Sequence, residues 1–100
     1  MYELTGSFRT ANASKYLQQL CKHFAHKVEV CYEPEWGCVC FPFGRVEMKA
    51  DDDCLSVSCK PETAEQADRV RGVIDSHLER FAFREAFTSM DWTKTELTAE

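Results

Sequence analysis

Val28 to Cys59 reads VEVCYEPEWGCVCFPFGRVEMKADDDCLSVSC, and this stretch decides the fold. Val28, Val30 and Tyr32 alternate with Glu29, Cys31 and Glu33, the period-two pattern of a half-buried strand. Pro34, Glu35, Trp36 and Gly37 read as a turn. Val39, Phe41 and Phe43 then alternate with Cys38, Cys40 and Pro42, until Gly44 breaks the pattern. Val46, Met48 and Ala50 mark a further strand, the acidic run Asp51, Asp52 and Asp53 turns the chain, and Leu55, Val57 and Cys59 mark the next. Successive strand patterns joined by short turns, with no helix between them, make an antiparallel sheet with one apolar face.

Outward from this stretch, each side carries a helix and a strand. Tyr2 to Arg9 alternates, with Tyr2, Leu4 and Phe8 on one face. Asn12 is placed to cap a helix in which Ala13, Tyr16, Leu17, Leu20, Cys21 and Phe24 form an apolar stripe. Pro61, Glu62 and Thr63 open a second helix, with Thr63 and Gln66 in capping-box spacing and Ala67, Val70, Ile74, His77, Leu78 and Phe81 on one face. Met90 and Trp92 suggest a last strand after Phe87, and residues 96–100 read as a polar, frayed tail. The expected order is β-α-β-β-β-β-α-β. It implies an α+β two-layer sandwich, with both helices on one face of a curved antiparallel sheet and residues 1–95 as its single domain.

Composition narrows the class. One hundred residues suit one domain, and 44% apolar with 29% charged residues is a globular balance. A net charge of −5 weighs against a nucleic-acid partner. The start MYELTGSFRT has no basic, apolar and small-residue succession, and no run approaches the roughly 20 apolar residues of a membrane span. These features favour the cytoplasm and no membrane partner, and the cysteines there are expected to be reduced thiols.

Three constellations carry chemistry. Period-two geometry sends Cys31, Cys38, Cys40 and Cys54 to the sheet face away from the helices, where Cys31, Cys38 and Cys40 lie on the arms of one hairpin. Close thiols there would suit a soft metal ion or a reversible disulfide, whereas Cys21 and Cys59 fall on core faces. The second constellation is His23 and His26 in HFAHK, with Lys27, and His77, Arg80 and Arg84 in HLERFAFRE. Cations near helix C-termini are favoured by the macrodipole, and the same groups could hold an anion or, through the three imidazoles, a metal ion. Antiparallel helices would put these two motifs at opposite ends of the layer. The third is Asp51, Asp52 and Asp53, which reads as a solvated turn. No nucleophile elbow, phosphate loop, H-E-x-x-H or paired C-x-x-C is present, which argues against an enzyme. Phe81, Phe83, Phe87 and Trp92 read as core or as cover for the sheet edge.

The segments KYLQQLCKHFAHK (Lys15 to Lys27), FPFGRVEMKADDDCLSV (Phe41 to Val57) and HLERFAFREAFTSMDW (His77 to Trp92) resemble the bacterial domain-of-unknown-function family 2218, in that order and over nearly the whole chain. The resemblance implies two helices on one antiparallel sheet, similar to the TATA-binding-protein arrangement. Some members of that family are encoded near siderophore or iron-uptake genes, which implies a link to iron metabolism. The family-like positions are His23, His26, Lys27, Asp51, Asp52, His77, Arg80, Phe81, Arg84 and Glu85. The open-face cysteines and Cys59 fall outside the family's pattern.

Together these readings lead to a binding module for a small anionic ligand or protein partner at His23, His26, Lys27, His77, Arg80 and Arg84. The alternatives are metal or iron handling by the histidines or by Cys31, Cys38 and Cys40, a small enzyme, and a weak homodimer through the open sheet face.

Overall fold

In the computed structural model, which describes residues 1–97, the alternation of Val28–Cys59 becomes a meander of four strands. The elements run β1 (Tyr2–Arg9), α1 (Ala13–Phe24), β2 (Glu29–Glu33), β3 (Trp36–Phe41), β4 (Gly44–Ala50), β5 (Cys54–Cys59), α2 (Ala64–Phe81), a 3-10 turn (Phe83–Glu85) and β6 (Asp91–Glu96). Among the described residues the sheet is six-stranded and antiparallel, in the order β2-β3-β4-β5-β1-β6. Two helices pack on it, as the sequence order implies.

Register separates the two faces of the sheet. Val30, Val39, Val46, Cys59 and Leu4 stand in one cross-strand row, partly or fully buried on the helix side. The adjacent row is Cys31, Cys38, Glu47, Ser58 and Thr5, which period two turns to the open face. Against the first face α1 buries Ala13, Tyr16, Leu17, Leu20, Cys21 and Phe24, the whole stripe expected from its spacing. From α2 come Ala67, Val70, Ile74 and Leu78. The Thr63 hydroxyl accepts the Gln66 N–H at 3.1 Å, satisfying one of the unpaired donors of the first turn.

Local readings differ from the structure at four places. Trp36 and Gly37 belong to β3, and the turn is only Pro34–Glu35. Gly37 is needed for close approach, since a Cβ there would lie 2.7 Å from Cys21 Sγ on α1. Gly44 opens β4 with a φ of +145°, closing a two-residue turn against Phe41. Asn12 makes no side-chain cap; its amide donates to Glu85 at 3.2 Å instead. At the C-terminal end, Glu96 is the last residue of β6, and the Leu97 N–H donates to the Met1 carbonyl at 2.9 Å. Strand pairing therefore enters the segment read as a tail, whose residues 98–100 lie outside the described ones.

Asp75 of α2 fastens the last strand. Its carboxylate accepts the Met90 N–H at 3.0 Å and the Trp92 indole N–H at 2.9 Å. The indole lies over β1, where a Cβ on Gly6 would come within 2.7 Å of the ring. No helix among the described residues is long and apolar enough to cross a membrane.

Candidate functional site

The helices run antiparallel, because Glu85, just beyond α2, meets Asn12 and Tyr16 at the start of α1, while His77 meets His23 and Phe24 at its end. Antiparallel packing was expected to keep the two histidine motifs apart. It does not, because α1 has only 12 residues and lies beside the C-terminal part of the 18-residue α2. His77 sits a full turn before the end of α2, level with the last turn of α1.

At that level the imidazoles of His23 and His77 are 4.6 Å apart, centroid to centroid. Phe24 is buried beneath them, edge-on to His77 at 4.9 Å and to Phe41 at 5.0 Å, and Phe41 stacks on Phe43 at 4.9 Å. Phe81 flanks the pair, 6.1 Å from the His23 ring and 6.2 Å from the His77 ring. His77 Nδ1 is 2.6 Å from the Val73 carbonyl oxygen. A carbonyl can only accept, so Nδ1 carries the hydrogen and Nε2 of the neutral ring carries the lone pair.

Electrostatics at the pair run one way. His23 is held below its ordinary value, first by desolvation, then by the charges of His77, Lys27, His26 and Arg80. Among the described residues no carboxylate contributes to these influences. Lys27 and His26 follow the end of α1, in a turn held by the Lys27 and Val28 N–H groups donating to the Phe24 carbonyl. Arg84 is not brought in: it lies beyond α2, with its guanidinium 5.6 Å from the centre of the exposed Phe83 ring. Of the residues singled out from sequence, the structure thus joins His23 and His77 directly and surrounds His23 with Lys27, His26 and Arg80.

The thiols form a second, separate group. Cys31 faces Cys38 directly across the β2–β3 ladder, and Cys40 faces Glu29 on one side and Arg45 on the other. Cys31 and Cys40 are exposed, whereas Cys38 is only 6% exposed. Burial pushes the Cys38 thiol up, and the Arg45 guanidinium opposes that shift. Cys54 pairs with Arg9 on β1, on the far side of β4, away from this group. Cys21 and Cys59 are core residues, both pushed up to about 11 by burial. Among the described residues no group of three His, Cys, Asp or Glu side chains is placed to hold a metal ion. A groove of about 440 Å³ on the sheet is lined by Glu3, Arg45, Glu47, Ser58, Cys59 and Lys60, with charges of both signs.

Sequence reasoning missed the polar cluster at the other end of the helix pair. Glu85 accepts the Thr10 hydroxyl at 2.7 Å, the Asn12 amide and the Tyr16 hydroxyl. These bonds, the Tyr16 one foremost, hold its carboxyl below the ordinary range, and burial together with Glu85 pushes Tyr16 up to about 12. Resemblance marked Glu85, but no periodicity pointed to its partners. The Asp51–Asp53 run is a turn in which the Asp53 N–H donates to Asp51 Oδ1 at 3.1 Å, and those bonds hold the Asp51 carboxyl down.

With this geometry in place, comparison with known families is decisive. The model of a family described as "Uncharacterized protein conserved in bacteria (DUF2218)" matches residues 5–93. The chain belongs to DUF2218. Among solved structures, the DUF2218 chain is similar to the NMR structure of PA4090 from Pseudomonas aeruginosa, at 27% identity and a TM-score of 0.76. That match covers 99% of this chain and 100% of the other. No curated protein matches it. Neither the family description nor the structural relative brings an activity, a ligand or a tie to iron uptake with it.

Proposed function

We propose that this DUF2218 chain is a non-enzymatic binding module that takes a small anion at the His23–His77 pair, with Lys27, His26 and Arg80 supplying positive charge around it. The observation that carries the reading is the contact of two imidazoles at 4.6 Å, with cationic groups and, among the described residues, no carboxylate acting on His23. Such a site disfavours a proton on His23 until a negative charge arrives. An anion then makes protonation favourable and gains a charge-assisted hydrogen bond from the His23 ring. Six free cysteines favour a reducing compartment, so we place the module in the cytoplasm.

The test is an NMR titration of the histidine ring protons with inorganic phosphate. Phosphate should raise the His23 midpoint, bind more tightly as pH falls below about 6.5, and lose its effect in His23→Ala. An unmoved midpoint at saturating phosphate would sink the reading.

A second reading, a divalent cation shared by the two rings, is favoured by the Val73 carbonyl that orients His77, as carbonyls orient metal-bound imidazoles. It predicts the opposite sign. Zinc competes with the proton, so it would lower both apparent midpoints.

A further inference from the structure

The thiols on the open face carry an inference independent of the anion site. Pro34–Glu35 is a two-residue connection, so its closing pair, Glu33 and Trp36, is hydrogen-bonded in both directions. By the alternation of an antiparallel ladder, Cys31 and Cys38, two pairs further on, are hydrogen-bonded likewise. Such pairs hold their Cα atoms about 5.5 Å apart, inside the ~4.4–6.8 Å span of disulfides, but their Cβ atoms are also about 5.5 Å apart, so closing the bond must draw the strands about 1 Å together and leaves it strained. The alternatives fit less well. Cys31 and Cys40 are diagonal neighbours, about 7–8 Å apart. Cys38 and Cys40 are two rises apart on one strand, roughly 6.6 Å, at the edge of the permitted span, although Cys40 is the thiol that acts on Cys38.

We propose that Cys31 and Cys38 form a redox-modification site, a cross-strand dithiol whose co-reactant is a low-molecular-weight disulfide. Cys31 is the entry point. It is exposed on β2, an edge strand of the sheet, where no further strand among the described residues blocks approach. Its thiolate attacks one sulfur of the small disulfide, whose S–S bond breaks and releases one thiol with the proton that Cys31 gave up. The buried Cys38, whose thiol burial holds up and Arg45 beside it partly brings back down, then attacks the Cys31 sulfur as its thiolate. The mixed disulfide breaks, the second small thiol leaves with the Cys38 proton, and the Cys31–Cys38 bond remains. The two cysteines together lose two electrons and two protons, and the small disulfide gains them. An exposed bridge at a sheet edge is among the reducible kind, so excess small thiol reverses the reaction. The bridge ties β2 to β3 directly after the turn that bears His26 and Lys27.

The experiment equilibrates the full chain with mixtures of oxidised and reduced glutathione, blocks free thiols with a maleimide and maps the peptides by mass. Wild type and Cys40→Ser should both give one intramolecular Cys31–Cys38 link that reverses with reduced glutathione. Cys38→Ser should stop at a glutathione adduct on Cys31. A link through Cys40 or Cys54, adducts without a link, or free thiols under excess oxidised glutathione would each overturn the proposal. If Cys38→Ser does not fold, the wild-type and Cys40→Ser maps decide alone.

Discussion

The two ends of the helix pair both gather polar side chains and are left in opposite states. At one end Glu85 receives hydrogen bonds from Thr10, Asn12 and Tyr16, three donors from the β1–α1 connection and the first turn of α1. At the other, His23 sits against His77 with cations around it and makes no side-chain hydrogen bond among the described residues. A satisfied charge fastens two elements together, whereas an unsatisfied group surrounded by like charge has something to gain from a ligand. Charged residues on one pair of helices can therefore divide into those that stabilise and those left available for binding, and their partners tell which is which.

The sharpest way to break the comparison is Glu85→Ala. It strands three donors and should cost about 2 kcal/mol in urea denaturation, leaving the phosphate response of His23 intact. Equal stability in the variant would mean the closed end fastens nothing. Tyr16→Phe removes one of those bonds while keeping the ring stacked 6.0 Å from Phe8, so about 1 kcal/mol is expected. It should also let the Glu85 carboxyl rise toward its ordinary value, visible in a carbon-detected pH titration.

His23→Ala should do the reverse of Glu85→Ala. Unfolding free energy should stay within about 0.5 kcal/mol, as for other exposed positions, while phosphate binding disappears. A large loss of stability would make His23 a packing residue.

The smallest effects lie in the pH dependence, where the two ends separate by window. The Glu85 carboxyl is depressed in the folded state, so its contribution is complete above about 4.5 and is lost as pH falls through the lower folded value. His23 is depressed too, so the fold favours its neutral form. Its contribution is complete above about 6.5 and drains as pH falls from there. Glu85→Gln should erase only the lower limb and His23→Ala only the upper. Added phosphate should flatten the upper limb in wild type and leave it unchanged in the variant.

What was legible in the sequence is what depends on near neighbours. The stripe from Ala13 to Phe24, the Thr63–Gln66 cap and the four strands of the meander all follow from spacings of a few residues. Errors arose where a partner lies far along the chain. Gly37 looked like a turn residue because the need for its bare Cα comes from Cys21 on a helix. Asp75 drew no reading and Glu85 was marked only by resemblance, because their partners are 17 and 69 positions away. The histidine pair was half legible: residue type and flank pointed to it, but the offset between a short and a long helix follows from packing, which periodicity does not encode.

The sheet order also bears on how the chain acquires its structure as it is made. β1 leads, yet its partners are Cys54–Cys59 on one side and Asp91–Glu96 on the other. While a ribosome is still delivering the middle of the molecule, the hairpins of β2 to β5 can close by local contacts, but β1 must wait. Its second edge stays uncovered until Trp92 arrives to lie over Gly6 and reach Asp75. Vectorial synthesis thus leaves the earliest strand as the last to be enclosed, and that interval is when a nascent chain would most need shielding from its neighbours.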